Sequence, residues 1–244
     1  MRLAVVYAQV ETRQLLRFPA YWIPTLGFSA IALLLFGRHL ERGEPERLMA
    51  GFAATALLTV TFFQFGVGIA AGRATPWESY LRTLPVTPGE RLGGRLLSAL
   101  AFGAATTAIV TLVATTVYGA ALPAWRFAAL VAGLLLGSMP FAFLGIALGY
   151  WLSARAALPV ANLLFLPLAI AGSLWVRPDD GVPHEADVAS QLLPTRSWIE
   201  ILDSIAAGDD PVPRHHVVAL AVWGAAFFVL AWWGYRRDEG ERFR

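Results

Sequence analysis

The chain has 244 residues, 57% of them hydrophobic and only 15% charged, with a mean hydropathy of +0.58. A soluble domain usually has about 45–50% apolar and about 25% charged residues, so this balance excludes an ordinary water-soluble fold and points to an all-α integral membrane protein. Cysteine is absent, which excludes disulfides, thiol chemistry and cysteine metal sites, and all nineteen basic residues are arginine.

The first apolar run, "LAVVYAQV", is short and leads into Glu11, Arg13 and Arg17 without a small-residue cleavage site, so it does not read as a signal peptide. Gln9, Arg13 and Arg17 share one helical face while Val6 and Val10 lie on another side. That pattern predicts an interfacial amphipathic helix over 1–20. Apolar stretches without central charge follow over roughly 21–37, 48–72, 96–121, 127–152, 156–176 and 216–235, each near the length a spanning helix needs. Six spans place both termini on one side. Arginine chooses that side: the segments shared with the termini hold twelve, the opposite loops seven, so both termini are expected in the cytoplasm. No internal repeat is visible, and 1–244 reads as one membrane domain.

Between the second and third spans, Thr75-Pro76-Trp77-Glu78 fits a capping box with proline at the first helical position. Pro85 must end the helix that starts there, giving a short helix over 75–84. Trp77, Tyr80, Leu81 and Leu84 form its apolar face, and Glu78, Ser79 and Arg82 point elsewhere. Thr87, Pro88 and Glu90 repeat the start signal and launch the third span. A helix of two to three turns is not stable alone in water, so its apolar face must be buried. Lipid headgroups and a cytoplasmic partner are both physically adequate covers.

Within the spans, Gly68–Gly72, Gly133–Gly137 and Gly145–Gly149 are G-x-x-x-G pairs that suit either close packing inside the bundle or a seam between subunits. Pro24, Pro140, Pro159 and Pro167 interrupt spans, and the fifth span, with two of them, is the expected moving element. The intramembrane polar residues are Gln64, Asn162 and the hydroxyl stripe Thr107, Thr111 and Thr115, spaced to share a face. They either line a substrate pathway or serve back-bonding and helix packing. The long loop 177–214 contains "WIEILDSIAAG", a short helix with Trp198, Ile201, Leu202 and Ile205 on one face, which caps the span ends, lies on the outer leaflet or dips into it.

Several chemistries are absent. Without lysine there is no Walker A loop, so the chain is not its own ATPase. No acid or arginine occupies the centre of a span, which argues against an ion-coupled carrier. His39, His184, His215 and His216 make no H-E-x-x-H, and no metal site or nucleic-acid surface is indicated.

In four places the chain resembles the permeases of type-2 ATP-binding-cassette exporters, the group serving antibiotic, lipid and polysaccharide efflux. "ETRQLLRFPAYWIPTLGF" resembles their elbow helix running into the first span, and "GVGIAAGRATPWESYLRTLPVTPGERLGGRLLSAL" the segment with their coupling helix. "LPVANLLFLPLAIAGSLWV" resembles their fifth span and "LPTRSWIEIL" the external helical segment after it. One departure is Ala74–Thr75, where the family often has a charged "ER-x-x-G" sequence. The resemblance implies a permease of six transmembrane helices with an elbow helix, a cytoplasmic coupling helix at 75–84 and an external helical segment. It also implies a bacterial inner-membrane location, a second permease copy as a homodimer, and two cytoplasmic ATPase subunits that bind the ATP and magnesium. Trp77, Tyr80, Leu81 and Leu84 would then anchor the coupling helix, with Glu78, Ser79 and Arg82 facing the ATPase. An uncharged pathway suits amphipathic or lipid-like cargo, as in multidrug export. A regulatory membrane subunit of the same fold is the alternative, with an ion-coupled carrier a more distant one.

Overall fold

The computed structural model describes residues 2–37, 45–75, 88–175, 190–208 and 212–241. The described residues are helical, with no strand among them. The helices are α1 (Arg2–Leu16), α2 (Pro19–Phe36), α3 (Pro45–Val60), a π-helical turn over Thr61–Val67, α4 (Gly68–Arg73), α5 (Pro88–Val117), α6 (Ala124–Trp151), α7 (Ala154–Ala171), α8 (Pro194–Ala207) and α9 (Arg214–Glu241). Four of them begin on proline, at Pro19, Pro45, Pro88 and Pro194, where the missing N–H would have had no intrahelical partner in any case. Ser153 caps α7 by accepting from the Ala156 N–H, and Gly208, in the left-handed region, closes α8.

Five helical stretches are long and apolar enough to cross a membrane: Pro45–Arg73, Leu92–Val117, Ala124–Trp151, Ala154–Ala171 and Arg214–Asp238. The stretch corresponding to the first expected span, Trp22–Phe36, is apolar but shorter. That stretch lies within α2 (Pro19–Phe36), whose eighteen residues rise about 27 Å, against a hydrocarbon core of about 30 Å.

The stretch Pro45–Arg73 is the hub. It is 83% buried, against 22–33% for the other four. That inequality explains the alanine-rich sequence of α3: Ala50, Ala53, Ala54 and Ala56 let neighbours approach on every side. α5 packs against α1, α2 and α3 on one flank, and α6 packs against the π-helical turn and α9 on the other. Glycine makes the second contact possible. A Cβ on Gly145 would collide with the Thr61 carbonyl oxygen, and one on Gly149 would lie 2.6 Å from Ile69 Cβ.

Helix α8 is not a lid across helix ends. It inserts among α3, α6 and α9 with Trp198 and Leu202 fully buried. The Trp198 indole N–H donates to the Gly133 carbonyl at 3.1 Å, its ring stacks on Phe141, and it occupies the space a Cβ on Gly137 would need. Gly137 is thirteen residues along from Ala124, about 20 Å at 1.5 Å per residue, so α8 reaches well into the bundle. The Gly133–Gly137 and Gly145–Gly149 pairs are therefore both used inside the chain. The neighbours of Gly68 and Gly72 are its own helix and the Arg95 guanidinium.

Candidate functional site

One face of the bundle gathers the end of α4, the start of α5, the end of α6 and the end of α9. The segment 76–87 joins α4 to α5 there. Pro76, Trp77, Glu78, Ser79, Tyr80, Leu81, Arg82, Leu84 and Thr87 lie outside the described residues. Their flanks are described. Thr75 donates its hydroxyl to the Gly72 carbonyl at 2.7 Å, tying the residue just before the segment to the last turn of α4. Helix α5 starts at Pro88 with Glu90 in its first turn, where an acid favours the helix dipole.

Arg73, the last residue of α4, is spent within the fold. Its Nη1 donates to the carbonyls of Gly149 and Tyr150 at 2.9 Å each and to that of Leu152 at 3.4 Å. These belong to the end of α6, where carbonyls lack intrahelical donors and the helix dipole attracts a cation. Its Nη2 pairs with Asp238 of α9, whose side chain is only 6% exposed. The guanidinium also lies 5.5 Å from the centre of the Tyr150 ring, which meets Tyr235 edge-on. One side chain thus joins three helices.

A second arginine works on the other flank. Arg95 of α5 donates Nε to Glu11 of α1 at 3.0 Å, with both side chains about 15% exposed. Burial pushes the Glu11 carboxyl above its usual range, and the Arg95 charge and hydrogen bond pull part of the way back. Next to this pair, Thr12 donates to Ser98 at 3.0 Å and Gln64 donates to the same hydroxyl oxygen at 3.1 Å. Gln64 sits in the π-helical turn, a distortion that recurs at functional positions. So α1 is linked through α5 to the middle of the hub. The packed face of α1 is Ala8, Glu11, Thr12 and Leu15, while Val5, Val6 and Val10 point outward, as a surface lying in lipid would have them.

The intramembrane polar residues separate into three places. Asn162 lines a cleft of about 690 Å³ between α2, the hub and α7, together with Thr25, Phe28, Thr59, Phe63 and Phe165. Thr107, Thr111 and Thr115 line a different groove of about 460 Å³ between α5 and α6. There Thr115 donates back to the Leu112 carbonyl at 3.0 Å, whereas Thr107 and Thr111 make no hydrogen bond among the described residues. Gln64 faces neither, being committed to Ser98.

Asp238, Glu11, Thr12 and Ser98 were not singled out from the sequence. The signal for Asp238 was helical periodicity running into the charged tail: with Phe227, Ala231 and Gly234 it continues the buried face of α9.

A buried hub helix surrounded by long apolar helices defines a multi-pass helical membrane protein. The ABC-2 family transporter protein model matches residues 19–233, and the chain belongs to that family. It is also similar to a protein of Bacillus subtilis (strain 168) named "Putative transport permease YvfS", with 20% identity over 199 residues, covering 82% of this chain and 80% of that protein.

Proposed function

We propose that this chain is the membrane subunit of an ATP-driven exporter, with six spans and both termini in the cytoplasm. Hydrolysis is supplied by two copies of a separate cytoplasmic ATPase. The observation that carries the reading is the family match over 19–233, on a chain whose sequence has no lysine for a nucleotide-binding loop of its own. The structure supports it in one further respect. The segment 76–87 lies in the chain between Arg73 and Arg95, two arginines each tied to other helices, so force applied there has a route into the spans.

On this reading Trp77, Tyr80, Leu81 and Leu84 anchor the coupling helix and Glu78, Ser79 and Arg82 meet the ATPase. Thr75, Pro76, Thr87, Pro88 and Glu90 fix its ends. The 690 Å³ cleft beside Asn162 is the best candidate for a cargo-contacting surface, because it sets one carboxamide among aromatic and aliphatic walls. That chemistry fits an amphipathic or lipid-like molecule, and the family resemblance adds a second, identical permease copy in a bacterial inner membrane.

The test is reconstitution. The chain is co-expressed with candidate ATPases, the complex is placed in liposomes, and amphipathic compounds are screened for stimulation of ATP hydrolysis. Stimulation that needs both proteins supports the reading. Hydrolysis that ignores the permease with every ATPase and compound tested contradicts it.

A further inference from the structure

Arg73 stands three residues before the start of the segment 76–87, and its contacts run into two other helices. A lysine there would present a point charge. The arginine fork instead reaches carbonyls of Gly149, Tyr150 and Leu152 with one nitrogen and Asp238 with the other. The helices it seizes are already paired. The Trp151 indole N–H donates to the Leu230 carbonyl at 3.1 Å, Trp151 meets Trp233 edge-on at 5.3 Å, and Arg237 lies over the Trp151 ring. On the far side of the segment, Arg95 pairs with Glu11 of α1. Arg73 thus ties α4, α6 and α9 to one another, and Arg95 ties α5 to α1. Gln64–Ser98 is a buried bond that crosses between them.

We propose that Arg73 is a positioning residue for coupling: it makes α4, α6 and α9 one body, so that displacement of 76–87 is delivered to the last span and moves it relative to α5. This rests on the reading of 76–87 as the ATPase dock.

The experiment uses the whole complex with its ATPase in lipid. Because the chain has no cysteine, a single pair can be introduced cleanly, Leu97→Cys on α5 and Arg236→Cys on α9, both at exposed positions, and spin-labelled for distance measurement with and without a trapped nucleotide. In the otherwise native complex the distance changes on nucleotide trapping. In Arg73→Gln the ATPase stays bound within about twofold, the nucleotide-dependent change is lost, and transport falls by about tenfold, the scale of a lost coupling term. Asp238→Asn keeps the carbonyl contacts and reduces the amplitude without abolishing it, and it provides the test if Arg73→Gln does not fold. A native amplitude in either variant overturns the proposal while leaving the exporter reading intact. Loss of ATPase binding and of the distance change in parallel with melting temperature also overturns it, because that is what a merely structural role predicts. A native complex with no nucleotide-dependent change overturns the exporter reading and this proposal together.

Discussion

Glu11 on the first helix and Arg95 on the fifth meet at 3.0 Å, both largely buried, and they fasten a helix that carries three outward-facing valines to the side of the bundle. The pair has a defined pH signature. Burial raises the Glu11 carboxyl above its ordinary value in the folded state, so the folded protein holds that proton more tightly than the unfolded chain. Its contribution to stability is therefore full below the ordinary carboxylate value and is lost as pH rises through the folded value. Removing Arg95 removes the opposing attraction and carries the loss further toward neutrality. Arg95→Leu should destabilise the protein by about 2 kcal/mol at neutral pH, and by less at pH 5. Melting of the detergent-purified protein at both pH values checks this, and on a Glu11→Gln background the difference between them should disappear.

Ser98 is the shared acceptor for Thr12 and Gln64, so its removal costs both donors that acceptor. Ser98→Ala should cost about 2 kcal/mol, whereas Gln64→Leu, which leaves the Thr12 bond standing, should cost about 1 kcal/mol. Equal effects in thermal melts would show that the two bonds do not share an acceptor in solution.

Gly137 faces the pyrrole side of the Trp198 indole so closely that any Cβ must displace it. Gly137→Ala should destabilise by about 1–3 kcal/mol through overpacking. Trp198→Phe lacks the atoms involved, so the double variant should be more stable than the sum of the two single changes allows, a coupling that melting of all four proteins measures.

The helical class, the start of α5 at Pro88 and the apolar face of α8 were legible from hydropathy, proline placement and periodicity. Trp198, Ile201 and Leu202 are buried as their spacing indicates. The depth of α8 was not legible, because an amphipathic helix of fourteen residues has the same pattern whether it lies on lipid or fills a gap between helices. What distinguishes the cases is Gly137, and its partner is sixty-one residues away. Arg73 and Arg95 looked like topology charges for the same reason: a charge count assigns a side of the membrane, not a partner. Nothing in "TFFQFGV" marks it as π-helical rather than α-helical. Its register is set by the packing of α6, whose glycines bring Thr61 and Ile69 close.

The central claim is that the segment 76–87 is where a cytoplasmic ATPase takes hold. The most direct measurement is co-purification of the cognate ATPase with the native chain and with Arg82→Glu and Trp77→Ala, alongside the melting temperature of each. The account predicts that the native chain retains the ATPase and that both variants lose at least about tenfold in binding, with melting temperatures unchanged. Native retention of the ATPase by both variants would contradict it.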